Sequence, residues 1–374
     1  MFIPFLPVAS YTKSSDLLKT FSKDNSILFF ELGRQALSVG IENLGLKNTD
    51  TVLMPSSLCS AVLEPFIQLG ININLYDLDK DMKCNINSIK ENITPTTKAI
   101  YVIHYFGLRN NLKTIREFCN AQEIYLIEDC ALSGYSSNLS SISYGDICIF
   151  SLWKFHAIPD GAILKINTKK ISSLNYIYNQ PLILKTVMRK FKIKLKSLTM
   201  KGLLPLRVLN SLRNQSDNET EDVDGYFNSP LHIIKISNSS LATFIKEDTE
   251  EIINIRRRNF YSLLDYCNQN KIESLYQYLD DSDIPYCFPI IVENPRLIKK
   301  ALAEEGIESE ISINEPPSRE LVNHNNQTFD NLKKLSLHCL SIPIHQNIDK
   351  DMMDYIKDNL VAILKKNNGV KGGN

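Results

Sequence analysis

The stretch LKTIREFCNAQEIYLIED, residues 112–129, contains one complete helix-to-strand unit and ends in two carboxylates. Its first part has the spacing of apolar residues that a helix needs, and its second part is a short apolar run typical of a buried strand. If that strand belongs to a parallel set, Asp129 places a carboxylate at the sheet edge where ligands usually bind. An aspartate can also simply start a loop, so this residue alone assigns no function.

The same alternation of helix and strand runs from residue 33 to residue 166. Leu37, Ile41 and Leu44 form a helical stripe in GRQALSVGIENLGL, which precedes the strand-like TVLMP, and further units end in INLYDLD and AIYVIH. This pattern predicts an α/β fold with a mostly parallel sheet and helices on both of its faces. The residues expected at the carboxyl ends of the strands are Pro55, Ser56, His104, Asp129 and Ser151 to Lys154.

The pattern changes after about residue 240 to that of a small α+β domain. Helical patterns at IRRRNFYSLLDYC and PRLIKKALAEEG alternate with strand-like runs at PYCFPIIVEN and LSIPIHQ, and a closing helix begins near Asp349. We predict an N-terminal segment 1–30, a large α/β domain 31–240, a small C-terminal α+β domain 241–366 and a tail 367–374.

A basic segment, residues 168–213, interrupts the large domain with eleven lysines and arginines and no acidic residue, and an acidic loop follows at 214–225. The basic segment suits either a solvated helical face or a patch that meets a diphosphate or an anionic membrane surface. The whole chain has 42 basic and 42 acidic residues, so no global charge attracts nucleic acid.

Eight cysteines are scattered singly, with no CxxC pair, which indicates reduced thiols of a cytoplasmic protein rather than a metal site. The spacing of His232, His324 and His338 likewise suggests no metal. The start of the chain, MFIPFLPVAS, lacks the basic region of a signal peptide and is too short to span a membrane. We therefore expect no export signal and no membrane span.

Lys154 follows the apolar run ICIFSLW, so it lies on the same sheet edge as Asp129 if the two strands are neighbours. Pyridoxal phosphate enzymes need such a pair, because a lysine amine forms an imine with the cofactor aldehyde and an acid keeps the pyridine nitrogen protonated. They also need phosphate donors near a helix start. The glycine of LGRQAL and Ser151 are candidates for that task.

Six motifs carry a wider resemblance: GRQAL, VLMPSSLCSAVLEPF, IHYFG, IEDCALSGY, GDICIFSLWKFHAIPDGA and LSIPIHQ. In this order and spacing the chain resembles the DegT/StrS-type nucleotide-sugar aminotransferase family, of the fold type I pyridoxal phosphate superfamily. The resemblance covers roughly residues 30–365 and is far more specific for the family than for the reaction.

The resemblance implies a role for each matching residue. Lys154 would form the imine, Asp129 would pair with the pyridine nitrogen, and Ala131 would lie beneath the ring. The phosphate would be surrounded by Gly33, Arg34 and Ser151. A guanidinium at position 34, where a small hydroxyl residue is common in the family, could bind phosphate in bidentate fashion.

One departure concerns the lysine itself. In many family members the lysine follows the serine by five residues, a position that His156 occupies here, whereas Lys154 follows Ser151 by three. Some members that dehydrate sugars carry a histidine in place of the lysine. Lys154 nevertheless precedes Asp160 and Gly161 by the common six and seven residues, which favours Lys154 over His156 as the imine-forming position.

Three further departures concern contacts to the cofactor or substrate. Leu132 replaces a histidine, Cys59 replaces an aromatic residue that often covers the ring, and Ala162 replaces a glycine. Trp153 could supply an aromatic surface, although a lone tryptophan beside a strand is more often in the core. His104 and His156 are weak candidates for contacts with substrate, and His345 suits a structural role.

The resemblance implies an aminotransferase that moves an amino group from an amino acid, glutamate by preference, to the keto group of a nucleotide-linked sugar for surface polysaccharides. It also implies a homodimer with active sites built across the interface. Two alternatives stay open: a sugar dehydratase or other pyridoxal phosphate reaction, and a non-catalytic homologue that binds a sugar nucleotide or a protein.

Overall fold

The structure is a computed structural model that describes residues 1–8, 26–134, 143–168, 183–205, 230–317, 322 and 328–368. The acidic loop at 214–225, the end of the chain from residue 369 and His324 lie outside the described residues. The basic segment and the N-terminal segment are described in part.

A seven-stranded sheet forms the centre of the first half of the chain. Its strands are β1 (Ile27–Phe30), β2 (Thr51–Pro55), β3 (Asn72–Tyr76), β4 (Thr97–Ile103), β5 (Tyr125–Asp129), β6 (Ile147–Ser151) and β7 (Ala162–Ile166). Their order is β1-β7-β6-β5-β4-β2-β3, and β7 is antiparallel to both of its neighbours while the others run parallel. The prediction of a mostly parallel sheet is confirmed.

Four helices connect these strands: α1 (Gly33–Leu44), α2 (Ser60–Gln68), α3 (Ile86–Asn92) and α4 (Leu112–Ala121). Every residue of β2, β6 and β7 is buried, which requires cover on both faces of the sheet. Asn85 caps α3 by accepting a hydrogen bond from the Ser88 N–H, and α1 ends at Gly45 in the left-handed region that favours glycine.

The basic segment contains a long helix, α5 (Ile183–Met200). Its inward side contacts the body of the protein through ion pairs of Arg189 with Glu31 and of Lys196 with Glu308. Its opposite side is exposed to solvent. No helix within the described ranges is long and apolar enough to cross a membrane.

The C-terminal part contains the predicted small α+β arrangement. Its helices are α6 (Asn238–Lys246), α7 (Thr249–Gln269), α8 (Pro295–Glu304), α9 (Asp330–His338) and α10 (Lys350–Asn368). The strands β8 (Cys287–Ile291) and β9 (Cys339–Pro343) form a two-stranded antiparallel sheet. Asp248 and Asn294 cap α7 and α8, since their side chains accept hydrogen bonds from backbone N–H groups of the first turn.

One continuous hydrophobic core contains residues of both parts, from Phe30 in β1 to Phe288 in β8. The first residues of the chain also join the small part, because the Ile3 N–H donates to the Gly306 carbonyl and His345 Nε2 donates to the Pro4 carbonyl at 2.8 Å. The domain boundaries predicted from sequence therefore stay a prediction, since no gap in the core marks them.

Candidate active site

The carboxylate of Asp129 lies at the carboxyl end of β5 and is 6% exposed. Its Oδ1 accepts a hydrogen bond from the Ala131 N–H at 2.8 Å, and its Oδ2 accepts one from the Tyr101 hydroxyl at 2.6 Å. Burial and then the negative charge of Asp129 raise the pKa of Tyr101 well above its usual value, so the phenol keeps its proton and remains a donor. Two donors thus fix the orientation of this carboxylate.

Lys154 ends the short 3-10 turn Leu152–Lys154, which directly follows β6. Strand β6 is the neighbour of β5 in the sheet, so Lys154 and Asp129 follow adjacent parallel strands, as the sequence predicted. The Nζ atom of Lys154 lies 5.9 Å from the ring centre of Trp153. Ser151, the last residue of β6, is buried and pairs with Ala162 across the sheet.

The thiol of Cys59 indicates that the two groups share one cleft. Cys59 precedes α2 and is exposed to solvent, yet protein atoms surround its sulfur. Burial raises the pKa of the thiol, the positive charge of Lys154 lowers it, and the negative charge of Asp129 raises it. Asp129 ends β5 and Lys154 follows the adjacent β6, so both charges act on this thiol from the same edge of the sheet.

A half-buried carboxylate of the small part, that of Glu310, is influenced by the charge of the lysine. Burial raises the pKa of Glu310, and the charge of Lys154 is the largest opposing influence. Glu310 pairs with Ser341 of β9 through backbone hydrogen bonds. The small part thus contributes a carboxylate whose ionisation the charge of Lys154 favours.

The start of α1 fits an anion. Its N-cap residue, Leu32, has no side-chain oxygen to accept from the first N–H groups, no acidic residue occupies the first turn, and Gln35 Oε1 accepts a hydrogen bond from the Leu32 N–H at 3.0 Å. A Cβ added at Gly33 would meet only Ile149 Cγ2, at 3.8 Å. Nothing around Gly33 in the described chain requires a glycine, whereas a phosphate close to the helix start would.

Arg34, predicted to bind the phosphate, forms an ion pair with the largely buried Glu64 of α2 at 2.9 Å through Nη1. A guanidinium has five N–H donors, so this pair uses only part of its capacity. The ion pair fixes the side chain against α2, and binding of a phosphate by Arg34 stays a prediction.

The structure pairs His156 with Glu247. The His156 ring is 1% exposed, its Nδ1 forms a short hydrogen bond with Glu247, and it packs edge-on against Phe244. His104 is fully buried as well, and its Nε2 lies 2.9 Å from Glu128 Oε1. Both histidines were candidates for substrate contacts, but neither ring is accessible to a substrate in this structure.

Glu128 is the centre of a hydrogen-bonded cluster on the sheet. Burial disfavours its charge, but the hydrogen bond and charge of His104 and the charge of Arg109 outweigh burial and lower the pKa of Glu128 to about 2. Ligand atoms of His104, Glu128 and Cys130 lie within 4.8 Å of one another, close enough for a metal ion. Arg109 Nη1, 3.6 Å from Glu128, would repel a cation, so the cluster suits a buried ion pair better.

Reasoning from sequence missed Tyr101, Glu247 and Glu310. The signal for Tyr101 was a tyrosine within the otherwise apolar AIYVIH, on the strand beside β5. Glu247 and Glu310 come from distant parts of the chain and carried no local signal. Of the departures from the family, Leu132 packs against the main core and Trp153 against a second hydrophobic cluster that includes Phe150.

The model of the DegT/DnrJ/EryC1/StrS aminotransferase family matches residues 16–161 of this chain. GDP-perosamine synthase of Vibrio cholerae is 26% identical over 132 residues, which are 34% of this chain and 36% of that enzyme. GDP-4-keto-6-deoxy-D-mannose 3-dehydratase of Escherichia coli O55:H7 is 30% identical over 116 residues, 30% of each chain. The chain thus spans about a third of the length of these curated relatives.

A solved structure, NtdA from Bacillus subtilis with bound cofactor PMP, is similar to this chain with a TM-score of 0.67 at 16% identity. The similarity covers 97% of this chain and 85% of that chain. It confirms the predicted fold, a mostly parallel sheet with helices and a small C-terminal α+β part, over 97% of this chain. Over residues 16–161, this chain is similar to the DegT/DnrJ/EryC1/StrS aminotransferase family.

Proposed function

We propose that this protein is a pyridoxal phosphate-dependent aminotransferase that moves an amino group from an amino acid, glutamate by preference, to the keto group of a nucleotide-linked sugar. The observation that carries the proposal is that Asp129 ends β5 and Lys154 follows β6, two adjacent parallel strands, so that both groups lie at one edge of the sheet. The family match and the name of the perosamine synthase relative support the choice of a sugar acceptor.

We assign separate residues of the cleft to the phosphate, the ring nitrogen and the ring face of the cofactor. The uncapped start of α1 at Gly33 would hold the phosphate, with Arg34 and Ser151 beside it. Asp129, oriented by the Tyr101 hydroxyl and the Ala131 N–H, would pair with the ring nitrogen. Ala131 would lie beneath the ring, where a small side chain leaves room.

Bound pyridoxal phosphate supplies an aldehyde that reacts with amines and a ring that withdraws electrons. The negative charge of Asp129 would keep a proton on the ring nitrogen. Lys154, on the turn after β6, would hold the cofactor at rest and then move a proton to and from the amino donor. Glu310 keeps a negative charge near this amine when ionised, and thereby helps to orient it.

The dehydratase alternative depends on His156 in place of the lysine. The short hydrogen bond of His156 with Glu247 and the 1% exposure of its ring instead support Lys154 as the residue at the cofactor. The Escherichia coli dehydratase is similar over 30% of the chain, too little to decide the reaction. We therefore favour the aminotransferase over the dehydratase.

We further propose that the enzyme acts in the cytoplasm as a homodimer. Its eight cysteines are free thiols, six of them buried, which suits a reducing compartment. Fold type I enzymes usually complete the active site across a two-fold axis, so a partner chain is expected to contribute to phosphate and substrate binding.

The first test is to load the protein with pyridoxal phosphate, record its visible absorption, reduce it with borohydride and map the modified peptide by mass spectrometry. We expect a pyridoxyl group on Lys154. Lys154→Ala should remove the mark and lower the amino-transfer rate by about a thousandfold or more, because both a nucleophile and a proton carrier are lost. Lys98→Ala changes an exposed lysine of β4 and is the matched control.

Other outcomes separate the alternatives. The dehydratase hypothesis would be favoured if the protein binds the cofactor but no lysine carries a pyridoxyl group after reduction. Detection of a product that has lost a sugar hydroxyl would support it further. A protein that binds no cofactor at any concentration would contradict the enzyme proposal and favour a non-catalytic homologue.

A further inference from the structure

The outward face of α5 carries large apolar side chains in solvent. We use this name for the exposed surface formed by Val187, Met188, Lys190, Phe191 and Lys194, continued by Lys201 in the following turn. Val187 is 53% exposed, Met188 54% and Phe191 58%. Leu203, 68% exposed, lies just beyond the helix. Exposed apolar side chains grouped on one helix indicate a contact surface rather than scattered surface residues.

The same face is strongly basic. Helix α5 contains six lysines and arginines and no acidic residue. Within the described ranges, Lys194 and Lys201 form no ion pair, and Lys190 donates a hydrogen bond only to the Ser239 hydroxyl, at 2.5 Å. The positive charge of this face is therefore not neutralised by the described part of the protein.

The inward side of α5 fixes which face points outward. Arg189 pairs with Glu31 at 3.4 Å, Lys196 pairs with Glu308 at 2.8 Å, and Thr199 is buried. These residues recur at helical spacing on one side, while Val187, Phe191 and Lys194 recur at the same spacing on the other. The helix is thus attached to the body of the enzyme by one side and presents the other as a rigid surface.

We propose that the outward face of α5 docks the enzyme onto an anionic membrane surface. An interfacial helix of this kind buries aromatic and aliphatic side chains among the lipid headgroups while its lysines meet lipid phosphates. The chain as a whole carries no net charge, so the attraction would come from this face alone.

Charge argues against a second copy of the chain as the occupant. A two-fold contact of this face with itself would place lysines against lysines. The cytoplasmic leaflet, in contrast, offers anionic lipid to a basic helix that contains an aromatic residue. The proposal is independent of the chemistry in the cleft, since no residue of the outward face belongs to the candidate active site.

The test is flotation of the full-length protein with vesicles of phosphatidylglycerol and phosphatidylcholine in equal parts, compared with vesicles of phosphatidylcholine alone. We expect binding to the first only, and weaker binding as salt rises. The triple variant Lys190→Glu, Lys194→Glu, Lys201→Glu should weaken binding by about a hundredfold or more, because each lysine near the surface contributes several-fold. Phe191→Ser should weaken it about tenfold through lost apolar burial.

The matched control is Lys90→Glu, Lys98→Glu, Lys113→Glu, which makes the same change in net charge at exposed lysines elsewhere. It should bind like the unaltered protein. The proposal is overturned if the unaltered protein ignores anionic vesicles or if both triple variants lose binding equally. It is also overturned if the α5 variants dissociate an oligomer in sedimentation velocity, which would assign the face to a protein partner. Melting temperature and cofactor absorbance check that every variant is folded.

Discussion

At the scale of single residues, the hydrogen bond from Tyr101 to Asp129 is the least expected feature of the cleft. It places a buried phenol behind the carboxylate, on the neighbouring strand β4, at 2.6 Å. The Ala131 N–H donates a hydrogen bond to the other carboxylate oxygen of Asp129. Tyr101 is therefore a positioning residue in our proposal, and Asp129 is the group that would contact the cofactor.

We expect Tyr101→Phe to lower the turnover number about tenfold, since a hydrogen bond to a charged group typically contributes about 1.5–3 kcal/mol. Asp129→Asn should lower it about a hundredfold or more through loss of the charge itself. Only Asp129→Asn should markedly change the visible spectrum of the bound cofactor. Tyr125→Phe, on β5 itself, is the control and should behave like the unaltered protein. Full activity and cofactor affinity in Tyr101→Phe would contradict the positioning role.

At the scale of elements, the start of α1 carries the proposed phosphate site. The helix contains two glycines in different surroundings. A Cβ at Gly33 would meet only Ile149 at 3.8 Å, whereas a Cβ at Gly40 would meet Ile147 Cδ1 at 2.6 Å in the packed sheet. Close packing against the sheet therefore explains why position 40 is a glycine. Packing does not explain the glycine at position 33.

Gly33→Ala should leave the melting temperature of the cofactor-free protein unchanged or slightly raised, because alanine favours the helix and has room. The same variant should weaken the binding of pyridoxal phosphate about tenfold or more, because overpacking typically costs about 1–3 kcal/mol. Gly40→Ala should instead lower the melting temperature. Calorimetry of the cofactor-free variants and titration with the cofactor separate the two effects. An unchanged affinity in Gly33→Ala would place the phosphate elsewhere.

At the scale of the whole molecule, a buried histidine connects the start of the chain to the small part. Burial, with help from the nearby charge of Arg256, lowers the pKa of His345 to about 3. Its ring donates from Nε2 to the Pro4 carbonyl and accepts from the Asn347 N–H through Nδ1. A protonated ring could not accept that second hydrogen bond.

The free energy of unfolding should therefore fall as pH drops from about 6.5 to about 3, because the unfolded chain binds a proton there that the folded chain does not. One such group gives a slope of at most about 1.4 kcal/mol per pH unit. Below about pH 4.5 the lowered pKa of Glu128 further reduces the free energy of unfolding, and this reduction continues until the pH falls below about 2.

Denaturant unfolding between pH 7 and pH 4 measures this slope. His345→Asn removes the titrating ring and should flatten the curve, while His232→Asn, an exposed histidine, should leave it as it is. A curve that is equally steep in His345→Asn would assign the acid sensitivity to other groups.

Much of the molecule follows from local pattern. Helical stripes and short apolar runs identified the order of helices and strands. Because helices that alternate with strands cover both faces of a sheet, the strands were expected to run parallel. Asp129 and Lys154 were identifiable because each directly follows an apolar run, and neighbouring parallel strands bring such positions to one edge.

The sequence by itself determined the fold class, the family resemblance and the residues at the strand ends, since all of these depend on the periodicity and spacing of neighbouring residues. Only the tertiary structure decided that His156 turns to Glu247, that Tyr101 donates to Asp129 and that Val187 and Phe191 remain in solvent. Those contacts join residues far apart along the chain, or depend on which face of a helix the rest of the protein covers. The physical reason is that side-chain partners are selected by packing in three dimensions, which local pattern does not encode.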